Sequence, residues 1–191
     1  FAAMELSIIG LLAVAYAADL AAASVPMLVL VQSGVGAGVL CGGRLLHGML
    51  HPEAGHMLVR TRPTEEGRCV CPSHESCLEG LASGPAIAAR WGKPAVELAG
   101  DDEVWELEGD YLGQMCANLV LMYSPRRIVL GGGVMHQEQL YGIVRKKTLD
   151  YLGGYIQAPE LEDIDSYICA PGCGGDQGIL GAAELARRAL A

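Results

Sequence analysis

The chain has 191 residues, with 13 Lys and Arg against 22 Asp and Glu, a formal charge of −9, and 51% hydrophobic but only 18% charged residues. That apolar fraction, with 26 Gly and 9 Pro, supplies the core of one domain or one and a half and excludes a disordered tail. The acidic balance argues against nucleic acid as a partner, because Arg126-Arg127, Arg145-Lys146-Lys147 and Arg187-Arg188 are each too short to reverse the field.

Taken in order, an apolar helix is predicted over 2–23. Its uncharged run between Glu5 and Asp19 is thirteen residues, shorter than the roughly 20 a bilayer span needs. No basic segment precedes it as in a secretory signal, so it is read as a buried helix. Strands are expected over 27–32 and 38–41, separated by a turn at Gly34, Gly36 and Gly38, with Gly42-Gly43 as a hairpin turn into 44–47. Residues 51–77 hold Pro, Gly, His and Cys without a sustained period, and need something other than a core to order them.

Helices resume over 78–91 and 101–123. The second is opened by Asp101-Asp102, carries an apolar stripe at Val104, Tyr111, Met115, Leu119 and Met122, and is closed by Pro125. A strand at 128–130 then runs into Gly131-Gly132-Gly133, followed by a helix over 137–152, a strand over 166–169 and a last helix over 176–190. Strands alternating with helices indicate an α/β domain with a partly parallel sheet and no internal repeat.

Seven cysteines in uneven spacing do not form a disulfide framework. Cys41, Cys116 and Cys169 lie in apolar surroundings and read as buried small hydrophobes. The cluster at 69–77 differs, because His56, Cys69, Cys71, His74 and Cys77 fall within 22 residues. Zinc takes four such donors in a tetrahedron and can order a loop that lacks a core. Cys71, His74 and Cys77 supply three, and the fourth is His56 or Cys69. His56 is favoured, since Cys69 and Cys71 are only two apart. Four protein ligands leave no open position, so the role expected of the metal is structural.

Two glycine-rich turns, Ser33-Gly34-Val35-Gly36-Ala37-Gly38 and Gly131-Gly132-Gly133, follow predicted strands. Turns without Cβ atoms let backbone amides approach phosphate oxygens, although neither matches the Walker pattern. Glu53 and His56 in HPEAGH, and Glu79 in CLEG, flank the metal loop and are candidates to hold sugar hydroxyls. Glu79 could equally cap the following helix, and Glu53 could equally be solvated.

The runs HPEAGH, CPSHESCLEGLASGPAI, IVLGGGVM and GGDQGILGAAELA resemble the ROK family of repressors, open reading frames and kinases, specifically its bacterial fructokinase branch. The resemblance runs from about Ser33 to Leu185. It implies an actin-like (ribonuclease-H-like) sugar kinase lobe with an inserted zinc-binding loop at 51–77. Residues 1–24 would be an apolar helix at the seam of a first lobe, and 25–191 the C-terminal lobe. ATP and Mg²⁺ would bind in the cleft, structural Zn²⁺ in the loop, and the reaction would move the γ-phosphoryl group to the 6-hydroxyl of D-fructose.

By the same resemblance, Glu53, His56 and Glu79 contact the sugar, and His56, Cys71, His74 and Cys77 hold zinc. Ser33, Gly34, Gly36 and Gly38 lie near the phosphates, and Gly131, Gly132 and Gly133 lie beside the adenosine. The family's first phosphate loop has no counterpart here, and its catalytic aspartate is expected upstream of Phe1, which leaves this chain inactive alone. Gln32-Ser33-Gly34 replaces the usual Gly-Thr-Gly. A homodimer in the cytoplasm, without nucleic-acid or membrane partners, is the corresponding expectation. The alternatives are a sugar-sensing repressor lobe, disfavoured by the acidic balance and the His-containing zinc loop, and an inactive zinc-stabilised relic, between which and the kinase the upstream sequence decides.

Overall fold

The computed structural model describes residues 26–31, 34–41, 44–50, 52–172 and 183. The helices expected over 2–23 and 176–190, Ser33 and the Gly42-Gly43 turn lie outside them. Five strands form one mixed sheet in the order β3-β2-β1-β4-β5, comprising β1 (Pro26–Val31), β2 (Val35–Cys41), β3 (Arg44–Leu45), β4 (Arg127–Gly131) and β5 (Ile168–Cys169). β2 runs antiparallel to both β1 and β3, whereas β4 and β5 add in parallel on the other side of β1.

The strand boundaries correct the glycine turn. Gly36 and Gly38 lie inside β2, opposite Leu30 and Leu28 of β1. The sequence alternates Val35, Ala37 and Val39 with these glycines. Successive residues of a strand face opposite sides, so the apolar three enter the core, each at most 2% exposed. Cys41, the last residue of β2, is exposed rather than buried, and Cys169 is half-buried; only Cys116 of the three is fully buried.

The helix expected over 78–91 is two helices, α1 (Leu78–Ala82) and α2 (Gly84–Trp91). Ser83 breaks them: extended backbone there ends α1, and its hydroxyl accepts the Ala86 amide at 3.4 Å to start α2, with Pro85 in the first turn. Gly92 closes α2 in the left-handed conformation at φ 71°.

The long helix α3 (Asp102–Tyr123) is the spine of the core. Asp101 caps it through the Val104 amide, acidic residues fill its first turn, and Ser124 with Pro125 ends it. Trp105, Tyr111, Leu112, Met115 and Leu119 are fully buried against Ile128 and Leu130 of β4 and Ile168 of β5. Met122 departs from the expected stripe and is 69% exposed, because the last turn of α3 runs past the core.

Helix α4 (Gln139–Leu152) packs along α3. Their approach is set by two glycines one turn apart: a Cβ on Gly109 would overlap Ile143, and one on Gly113 would overlap the Cβ of Lys147 and come within 3.3 Å of backbone. Polar contacts at the rim hold the register, with Lys147 Nζ on Glu106 at 2.6 Å and the Tyr151 hydroxyl donating to Asp110 at 2.8 Å. Arg145 reaches from α4 to the Ile168 carbonyl of β5 at 2.8 Å. Two short helices, α5 (Pro159–Glu162) and α6 (Ile164–Tyr167), lead into β5, so the strand expected over 166–169 is shorter than its apolar run. No helix among the described residues is long and apolar enough to cross a membrane.

Two predictions follow from this packing. Ala for Gly in a helix interior ordinarily gains about 1 kcal/mol, but Gly113→Ala places its methyl against the backbone of α4. Chemical denaturation should show a loss of about 1–3 kcal/mol instead. The second concerns Glu108, which is 1% exposed on α3. Burial pushes its carboxyl well above the ordinary 4.5, against a smaller opposing pull from Arg90. The folded state therefore keeps a proton that the unfolded chain releases. The contribution is fully present below the unfolded pKa and is lost as pH rises towards the raised folded value. Glu108→Gln should flatten the fall in Tm above about pH 4.5, read from melting curves across neutral pH.

Candidate sugar and metal site

Residues 51–77 contain short pieces of regular structure. One 3-10 turn, Ala54–His56, is closed by the His56 amide donating to the Glu53 carbonyl at 2.9 Å, and a second spans Pro63–Glu65. Leu58 bridges antiparallel to Cys77. Val70 donates its amide to the Gly80 carbonyl at 2.8 Å, which lays the 69–71 segment on α1.

Four groups converge where these pieces meet. The ligand atoms of His56, Cys71, His74 and Cys77 all lie within 4.8 Å of one another. Cys71 Sγ is 3.4 Å from His74 Nδ1 and 4.0 Å from His56 Nδ1, and the two imidazole rings stand 5.2 Å apart. Cys69 points elsewhere, its thiol donating to the His74 carbonyl at 3.1 Å. A backbone hydrogen bond from Ser73 holds the Cys71 thiol below its ordinary pKa, whereas burial pushes Cys77 up to about 12.

Glu79, in the first turn of α1, joins this group to the sheet. Its Oε2 accepts the Val35 amide at 3.0 Å, and its Oε1 stands 3.8 Å from His56 Nε2. Glu79 therefore does not cap its own helix; Cys77 does, accepting the Gly80 amide through Sγ at 3.4 Å. Glu53 is exposed and opens the turn that carries His56. Two glycines permit these approaches. A Cβ on Gly55 would collide with the Val35 carbonyl, and one on Gly80 would collide with Cys69 Sγ and lie 2.8 Å from Cys71 Cβ.

The sheet register places the glycine-rich segments beside this cluster. Val35 pairs with Val31 at the C-terminal end of β1, and Leu30 pairs with both Gly36 and Gly131. Gly131 thus ends β4 two strands from β2, about 10 Å away at the usual strand spacing. The chain then turns through Gly132, at φ 104°, and Gly133 into a 3-10 turn over Val134–His136. Ligands of α/β sheets collect outside the carboxyl ends of parallel strands, and this is that end of β1 and β4.

Several residues that shape the site carry no motif. Gln114 of α3 reads both backbone groups of Arg60, accepting its amide at 2.8 Å and donating to its carbonyl at 3.0 Å. Asn118 donates to Met57 Sδ at 3.6 Å, and Arg90 meets Glu65 at 2.6 Å. The loop, expected to need something other than a core to order it, is thus held in part by side-chain hydrogen bonds and an ion pair. The one available signal was two polar residues, Gln114 and Asn118, in the otherwise apolar second half of α3, residues 111–123.

The ROK family model matches residues 10–189. A fructokinase from Pediococcus pentosaceus is 42% identical over 160 residues, covering 84% of this chain and 54% of its own length. A fructokinase from Streptococcus mutans serotype c is 36% identical over 182 residues, covering 93% and 60%. The crystal structure of a ROK hexokinase from Thermus thermophilus matches with a TM-score of 0.74 at 26% identity, over 96% of this chain and 65% of that one. The chain spans a little over half the length of these curated relatives, and its α/β layers are those of the ROK sugar kinases. With a family match across nearly its whole length, the chain belongs to the ROK family.

Proposed function

We propose that this chain is the C-terminal lobe of a cytoplasmic, homodimeric fructokinase that moves the γ-phosphoryl group of ATP to the 6-hydroxyl of D-fructose. The observation that carries the reading is one of placement. The Glu79 carboxylate on the Val35 amide and the Gly131–Gly133 turn share one end of the sheet, as a sugar and a nucleotide meeting for phosphoryl transfer require. The names of the relatives at 36% and 42% identity point to fructose.

In this reading Glu53, His56 and Glu79 hold the hexose. The 3.8 Å gap between His56 Nε2 and Glu79 Oε1 is too long for a direct hydrogen bond, and a sugar hydroxyl fits between them, accepting from the imidazole and donating to the carboxylate. Gly34 and Gly131–Gly133 offer backbone to the phosphates and adenosine of Mg²⁺-ATP, with Ser33 assigned to the same role. Gly36 and Gly38 keep that assignment only as strand neighbours of the turn, since their backbone belongs to the sheet. The general base is assigned to no residue of this chain.

The donor set fits zinc. A tetrahedron with Zn–S near 2.3 Å and Zn–N near 2.0–2.1 Å puts sulfur and nitrogen about 3.5 Å apart, between the observed 3.4 and 4.0 Å. When bound, zinc supplies a structural clamp rather than chemistry at the sugar, because all four positions belong to protein. Cys77 must lose its proton to serve, and its raised pKa makes occupancy weaken as pH falls.

A coupled assay on the whole protein that carries this sequence should detect fructose 6-phosphate. Glu79→Gln should raise the fructose KM about tenfold or more and leave the ATP KM unchanged. Phosphorylation of another hexose with none of fructose would overturn the substrate, and an unchanged fructose KM would overturn the role of Glu79.

Elemental analysis should find about one zinc per chain. Chelation should lower Tm, Cys77→Ser should mimic chelation, and Cys116→Ser should leave metal content unchanged; a metal-free, unshifted protein would refute the donor set.

A further inference from the structure

A buried ion pair joins the loop to α2. Arg90 of α2 contacts Glu65 at 2.6 Å, with the two side chains only 3% and 11% exposed. The contact is an ion pair without hydrogen-bond alignment, and Arg90 Nη2 is buried without a partner. Arg90 Nη1 donates to the Leu81 carbonyl of α1 at 2.9 Å, and the guanidinium lies 5.8 Å from the centre of the Tyr111 ring.

The significance lies in the carbonyls of α1. Five residues are too few for a helix to stand alone, and its last carbonyls need partners from outside. Glu79 O takes the Ser83 amide, Gly80 O takes the Val70 amide from the loop, and Leu81 O takes Arg90. Arg90 thus binds the loop through Glu65 and the helix through Leu81, beside the Val70–Gly80 bond. Cys77 and Glu79 ride on α1, whereas Cys71 and His74 ride on the loop.

We propose that Arg90 is a positioning residue: by joining the Glu65 carboxylate to the Leu81 carbonyl, it fixes loop 57–77 against α1 and so sets Cys71 and His74 relative to Cys77 and Glu79. The inference rests on the sugar and metal reading above for its functional consequence, but not for its structural content. Lysine keeps the charge but gathers its three donors on one nitrogen, whereas Glu65 and Leu81 are met by two different nitrogens of the guanidinium, so it cannot serve both partners in this geometry.

The test combines three measurements on Arg90→Lys, with Glu65→Gln as a second variant should the first not fold. Hydrogen exchange in the metal-free protein should be about tenfold faster at the Val70 amide, which donates to the Gly80 carbonyl, while amides in the middle of α3 stay unchanged. Zinc affinity from chelator competition should fall about 10-fold or more. The fructose KM should rise with kcat and the ATP KM little changed, a split that general destabilisation does not produce. Wild-type exchange at the Val70 amide in a folded variant overturns the proposal. A wild-type protein that binds neither zinc nor fructose overturns the site reading instead, and the exchange measurement still decides the role of Arg90.

Discussion

The Glu79 carboxylate receives the Val35 amide through one oxygen and faces His56 through the other, so a single side chain ties the open end of the sheet, helix α1 and the first turn of the loop. The arrangement depends on Val35 being the first residue of β2 and on Gly55 allowing the loop to pass against its carbonyl. A carboxylate accepting a backbone amide is held in position more firmly than a solvated one, because charge-assisted hydrogen bonds are the stronger kind. The same oxygen pair can then meet a ligand without first being ordered, which removes part of the entropic cost of binding.

Behind that carboxylate the loop is organised by unlike forces along its length. Near Met57 and Arg60 it borrows hydrogen bonds from Asn118 and Gln114, which replace the strand partner its backbone lacks. Near Glu65 it uses a buried ion pair, and near Val70 a β-like bond to α1. The tip brings Cys71 and His74 to Cys77, whose own place is already set by its cap of α1 and its bridge to Leu58. A metal held there, as proposed above, would be a local clamp on a largely preformed loop, unlike small zinc domains whose whole fold waits for the ion.

What could be read from the sequence tracks how local each interaction is. Cys71, His74 and Cys77 are three residues apart in turn, and His56 lies near enough that composition alone singles out the group. Glu79 was legible as a polar residue beside the loop, but its partner, Val35, is 44 positions away and contributes only backbone. Gln114 and Arg60 are 54 apart, and no spacing rule links them. The glycines of β2 failed for a different reason. Gly34, Gly36 and Gly38 look like a turn when counted alone, whereas Val35, Ala37 and Val39 between them carry the period of two that marks a strand. The break at Ser83 was available from Ser-Gly-Pro, since proline favours a helix start and not its interior, yet continuous apolar residues on both sides masked it.

In the proposed site, charge balance would connect a metal clamp to a sugar. Two thiolates and two neutral imidazoles cancel a divalent ion, so the metal group as a whole would carry no net charge into its half-buried position. Glu79 Oε1 faces His56 Nε2, and a His56 that gave Nδ1 to the proposed metal would have only Nε2–H left to donate. A donor and an acceptor separated by 3.8 Å select a group that can both accept and donate, which a hydroxyl does and a carboxylate or ammonium ion does not. In that reading the tautomer that would suit the metal is the one that would suit a sugar, and it would follow from which ring nitrogen the Gly55 turn presents to Cys71.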